Sequence, residues 1–92
     1  MNYFLGINSS NNVLCADFEE GTGQPSPGLN HPVYGVTALC NNVWYHAAAT
    51  YDGSIWKIYL NGNLESSLTV NRLPQSLSIQ HASIASALNS SG

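Results

Sequence analysis

Asp17, Glu19 and Glu20 fall within four residues of one another in the run VLCADFEE. On an extended strand, side chains at i and i+2 point the same way, so Asp17 and Glu19 would set two carboxylates on one face, their backbones about 6 to 7 Å apart. That is near the separation at which one carboxylic acid protonates a glycosidic oxygen while another attacks the sugar carbon. Asp17 and Glu19 are therefore the candidate catalytic pair, with a pair of solvated strand residues as the bland alternative. Calcium is a further use of the same groups. Hard cations gather several oxygens, and Asp17, Glu19 and Glu20 are the candidate ligands in a chain with five carboxylates.

A second group of residues suits recognition rather than bond breaking. Flat aromatic faces stack on the apolar faces of pyranose rings, although aromatics on strands more often fill a core. Trp56 alternates with Ile58 and Leu60 and reads as core. Trp44 shares its alternation with His46 and Thr50, so it is the tryptophan with a reason to face a ligand. His46 is either a contact residue or a histidine satisfied by a neighbouring hydroxyl or carbonyl. Tyr59 joins this set, and His31 and Tyr34 join it from the far end of a long loop. Asp52 reads as a turn residue bonding its own backbone. The chain contains no Ser-His-Asp order, phosphate loop, zinc spacing or dinucleotide fingerprint.

The elements that position these residues follow from period and punctuation. Tyr45, Ala47, Ala49 and Tyr51 alternate with Trp44, His46, Ala48 and Thr50, and Trp56, Ile58 and Leu60 alternate with Lys57 and Tyr59. Asp52-Gly53-Ser54 and Asn61-Gly62-Asn63 supply turns on either side of the second run. Three consecutive antiparallel strands result, the third over Leu64 to Val70. Upstream, Tyr3 to Ile7 reads as a strand with Tyr3, Leu5 and Ile7 on one face. Val13 to Glu19 follows, with Leu14, Ala16 and Phe18 toward a core. Glu20 to Pro32 holds three of the four prolines and is the longest non-periodic segment. Loops of that kind are often functional, so it is expected to be exposed and to border a pocket. Val33 to Leu39 reads as a short strand, Leu77 and Ile79 alternate with Ser78 and Gln80, and Ser83 to Leu88 fits a strand or a helical turn. Short strands divided by turns make the class all-β, an antiparallel β-sandwich.

Composition bounds the function classes. A chain of 92 residues makes one domain with a thin margin of stability. Charged residues are 8% of it, against roughly 25% in an average domain, which points to an extracellular or cell-surface protein. The net charge of −3 leaves no basic stripe for phosphates, so nucleic acid is not an expected partner. No run approaches the ~18 apolar residues of a membrane span. Cys15 and Cys40 form either a disulfide or two free thiols.

The runs WYHAAATYDG from Trp44 and WKIYLNG from Trp56 resemble the laminin G-like members of the concanavalin A-like lectin and glucanase superfamily. The resemblance implies a jelly-roll sandwich, apparently truncated here because complete domains are about twice this length. It also implies a secreted setting, a glycan or glycoprotein as partner, and calcium in some members. The superfamily's glucanases carry three acids at alternate positions of one strand. Here the aligned positions read Cys15, Asp17 and Glu19, so the first acid is missing. The expected function is a non-catalytic carbohydrate-binding or adhesion module using Trp44, His46, Tyr59, His31 and Tyr34. A small glycoside hydrolase using Asp17 and Glu19, and a structural fragment of a larger secreted protein, are the alternatives. A jelly roll lacking strands would leave some of Leu5, Ile7, Leu14, Phe18, Ile58 and Leu60 in water, so a homo-oligomer is expected.

Overall fold

The computed structural model describes residues 3–76, and the described residues form six strands and no helix. β1 (Phe4–Asn8), β2 (Val13–Asp17) and β3 (Val33–Tyr34) make one antiparallel sheet in the order β1-β2-β3. β4 (Ala47–Tyr51), β5 (Ile55–Leu60) and β6 (Asn63–Thr69) make a second, in the order β4-β5-β6. The expected all-β sandwich is present. Its turns use the residues that tolerate positive φ. Asn61 and Gly62, at φ 51° and 82°, form a two-residue hairpin turn whose twist matches the strands. At the preceding turn the Asp52 carboxylate accepts the N–H groups of Ser54 (2.8 Å) and Ile55 (2.7 Å), as its reading as a turn residue requires.

Register carries the alternation into a core. Leu14 and Ala16 on β2, continued by Phe18 and joined by Val33, meet Trp56, Ile58 and Leu60 of β5, and all seven are buried. Ala47, Ala49 and Tyr51 pair with Leu60, Ile58 and Trp56, so β4 turns the same face inward. Leu5 and Ile7 pair with Ala16 and Leu14 and therefore also point inward, yet both are exposed.

Among the described residues, the two sheets close along one side and stay open along the other. Between Ile58 and Tyr59 the β5–β6 register shifts, leaving Glu65 without a ladder partner. That bulge turns Glu65 to the exit of β3, where its carboxylate accepts the N–H groups of Val36 (3.2 Å) and Thr37 (2.9 Å) and the Thr37 hydroxyl (3.1 Å). Ser66 donates its hydroxyl to the Tyr34 carbonyl beside it. The Glu65 contact explains why the strand expected over Val33 to Leu39 stops at Tyr34: Gly35 still donates its N–H to the Leu14 carbonyl (2.7 Å), but the N–H groups of Val36 and Thr37 go to a side chain rather than a ladder. The strand expected from Trp44 begins instead at Ala47. The patterns noted over Leu77 to Gln80 and Ser83 to Leu88 lie outside the described residues. Cys15 and Cys40 are free thiols.

Candidate functional site

Of the five residues expected to contact a ligand, Tyr59 lies on the outer face of the β4-β5-β6 sheet, and His46 and Trp44 stand just before β4. Because Trp56, Ile58 and Leu60 face the core, Lys57 and Tyr59 face outward, with Ala48 and Leu64 flanking Tyr59 and Thr50 and Ser67 flanking Lys57. His46 continues this face beyond the start of β4. Its N–H donates to Asn61 Oδ1 (2.8 Å) and its carbonyl accepts the Asn61 N–H (2.7 Å), which fixes it against the β5–β6 turn. Two residues earlier stands Trp44, 98% exposed. An indole fully in water leaves its whole apolar face available for a ring.

Tyr34 and His31 lie elsewhere. Tyr34 pairs with Cys15 on the outer face of the other sheet, across the sandwich from Tyr59. On that face Phe4 pairs with Asp17 and folds its ring over Gly6, where a Cβ would stand 2.4 Å from the ring's Cζ, so a larger residue there would displace the ring. Asp17 is half-buried and accepts the His31 N–H (2.8 Å). Burial pushes its carboxyl above the ordinary range, with Glu19's charge adding, against the pull of the His31 and Phe18 N–H groups and the His31 ring. Burial likewise raises the Cys15 thiol, and the Asp17 charge adds to it.

The most heavily buried acid is Glu20, and sequence reasoning gave it only a role as a calcium candidate. Its Oε1 accepts the Ser26 N–H (2.8 Å) and lies 3.3 Å from Arg72 Nε, while its Oε2 meets His31 Nε2 at 2.8 Å. Burial alone would raise this carboxyl, but the hydrogen bonds from His31 and Ser26 and the charge of Arg72 outweigh it and hold it below the usual carboxylate range. The Glu20 backbone is held as firmly, donating to the Leu29 carbonyl (2.8 Å) and accepting the Gly28 N–H (2.7 Å). Glu20 thus ties both ends of the proline-rich loop to the segment after β6. Around it Phe18 packs its ring on Tyr51 (4.9 Å), His31 (5.3 Å), Trp56 (5.6 Å) and Tyr3 (6.2 Å). Trp56 donates its indole N–H to the His31 carbonyl (2.9 Å), and Tyr51 exchanges hydrogen bonds with the Arg72 backbone. The sequence signal for this cluster was thin. One acid opening a long loop, one histidine closing it, and one of only two cations downstream share no spacing rule.

Both oxygens of Glu20 are therefore engaged, and among the described residues no three His, Cys, Asp or Glu side chains gather where they could hold a metal ion. Among the described residues, a cleft of about 430 Å³ lies between β1 and β4, lined by Tyr3, Phe4, Leu5, Ala49, Tyr51 and Trp56. The loop from Glu20 to Pro32 was expected to border the pocket. It contributes none of these lining residues, because Glu20 draws it onto the base of the sandwich instead.

Residues 2–89 match the laminin G model of the concanavalin A-like lectin/glucanases superfamily. The chain belongs to that superfamily. The laminin G-like domain matches no curated protein and no solved structure. Its family fits what the strands build, two antiparallel sheets face to face with aromatic residues at their surface and edges. No helix among the described residues is long and apolar enough to cross a membrane.

Proposed function

We propose that this laminin G-like domain is a non-catalytic carbohydrate-binding or adhesion module of an extracellular or cell-surface protein. It meets a glycan or glycoprotein with Trp44, His46 and Tyr59 on the outer face of the β4-β5-β6 sheet. The observation that carries this reading is the full exposure of Trp44 beside an ordered histidine, on a surface with hydroxyl and amide groups from Thr50, Ser67 and Asn61 to bond sugar hydroxyls. The low charge of the chain supports the extracellular setting. His31 and Tyr34 are left out of the site because they sit on other surfaces.

Glycan-array binding tests it. Trp44→Ala should weaken the strongest signal at least ~10-fold, equivalent to ~1.4 kcal/mol, without moving the melting temperature, while Tyr34→Ala leaves binding unchanged. Equal loss in both variants, or no loss in Trp44→Ala, sinks the assignment.

A second reading, glycoside hydrolysis through Asp17 and Glu19, draws on the Asp17 carboxyl, which burial raises in the direction a general acid requires. Release of reducing sugar that disappears in both Asp17→Asn and Glu19→Gln would select it. We extend the first reading to a homo-oligomer, in which several weak glycan sites act together. Only part of the expected motive for one remains: Leu14, Phe18, Ile58 and Leu60 are buried within the chain, and Leu5 and Ile7 are the two left exposed.

A further inference from the structure

The four sheet edges are not alike. β3 and β6 are tied to each other through Glu65 and Ser66, and the bulge and the acid at that edge are devices that discourage pairing with another chain. β1 and β4 form the opposite side and, among the described residues, carry no such device. Neither FLGIN nor AAATY contains a charge or a proline, and neither strand is bulged. Between them lies the apolar cleft, with Tyr3 (59%), Leu5 (45%) and Ile7 (58%) exposed at or beside it, Leu5 and Ile7 on a register that turns them toward the core. Charge is distributed to match. Asp17 lies on an outer face, Glu19 opposite Asn30, Glu20 against Ser26 and Arg72, Asp52 in a turn and Glu65 at the closed edge, so among the described residues no carboxylate lines the cleft to hold two copies apart.

We propose that this open side is an isologous interface for a second copy of the chain, in which β1 pairs antiparallel with β1 of the second copy about Gly6. The inference rests on the homo-oligomer reading above and is independent of glycan binding. A two-fold axis through Gly6 sets Leu5 of one copy opposite Ile7 of the other and Phe4 opposite Asn8, which joins the inner-face stripes of both copies into one apolar strip. Glycine suits the axis, since its neighbour Phe4 already covers its outer side. The area is adequate for a weak dimer. Exposed Tyr3, Phe4, Leu5 and Ile7 together present about two whole large side chains, or ~400 Å² at ~150–250 Å² each, roughly half of what one partner of a standard interface contributes. The paired strand edges and β4's half-exposed Ala47, Ala49 and Tyr51 add to it.

The test uses the full chain. Light scattering from submicromolar to submillimolar concentration should show a reversible monomer–dimer equilibrium, and Ile7→Asp should move its midpoint at least ~10-fold upward while Trp44→Ala leaves it in place. In a Cys15→Ser, Cys40→Ser background, mixing Leu5→Cys with Ile7→Cys chains should give a disulfide-linked dimer on oxidation, which neither variant gives as efficiently alone. Association that persists in Ile7→Asp, without the mixed cross-link, would leave the homo-oligomer standing and overturn this interface. A chain monomeric at all concentrations overturns both. If Ile7→Asp then also lowers the melting temperature sharply, the same chain covers the cleft; if it does not, the cleft stays in water.

Discussion

Two isoleucines of the same chain make a matched pair for testing whether the sandwich is open along β1. Ile58 is 0% exposed at the centre of the core, and Ile7 is 58% exposed although its register faces the same interior. Truncating a buried isoleucine to alanine costs roughly 2–5 kcal/mol, transfer and cavity together. Ile7 is only about two-fifths buried, and water already fills the space beside it, so its loss removes a fraction of the ~1.5–3 kcal/mol that full burial is worth, under ~1 kcal/mol. A domain of this length has about 5–14 kcal/mol of stability, so Ile58→Ala removes a large share and Ile7→Ala very little. Urea unfolding monitored by tryptophan fluorescence at submicromolar concentration gives both values, and the two should differ by at least ~1 kcal/mol with unchanged slopes. Equal costs in that dilute regime would refute the reasoning, because they would mean that Ile7 is covered within one chain. A cost for Ile7→Ala that grows with concentration is the expected signature of the β1 interface.

Other consequences are as direct. Glu20 titrates below the usual carboxylate value in the folded chain, so its contribution to stability is full above the unfolded value and is lost as pH falls through the folded one; Glu20→Gln should flatten that acid limb in melts taken from pH 5 downward. Asp17 has the opposite sign. Its raised carboxyl favours the protonated form on folding, so its ionisation subtracts stability as pH rises, and Asp17→Asn should raise the melting temperature at neutral pH while keeping an oxygen for the His31 N–H. Gly53 sits at φ 97°, where a side chain is strained, and Gly53→Ala should cost about 1–2 kcal/mol by urea unfolding, with the glycan-facing surface unaffected.

The chain's local chemistry was readable without coordinates. Alternation from Tyr45 to Leu60, the Asp52-Gly53 and Asn61-Gly62 turns, and the inward set Leu14, Ala16, Phe18, Trp56 and Ile58 follow from a period of two and from which residues accept positive φ, both properties of neighbours in sequence. That Tyr59 faces away from the core was readable for the same reason, since it alternates with Ile58 and Leu60. What lay beyond the sequence depends on contacts between residues far apart along it. His31 and Tyr34 joined the ligand-contacting set because they stand at the end of the long loop, but a strand's position in one sheet or the other is decided by pairing, and β3 pairs with β2 rather than with β4. Val33 to Leu39 lost most of its strand to the Glu65 carboxylate 28 residues away from Thr37. Glu20 found His31 and Arg72 only because the long loop folds back on the base and the chain returns there after β6. A buried carboxylate is tolerable only where every oxygen has a partner, and those partners are assembled by the tertiary fold. The same holds for the open cleft: alternation assigns Leu5 and Ile7 to the inner face, but whether anything stands opposite that face is a fact about the second sheet, whose strands begin some 40 residues later in the chain.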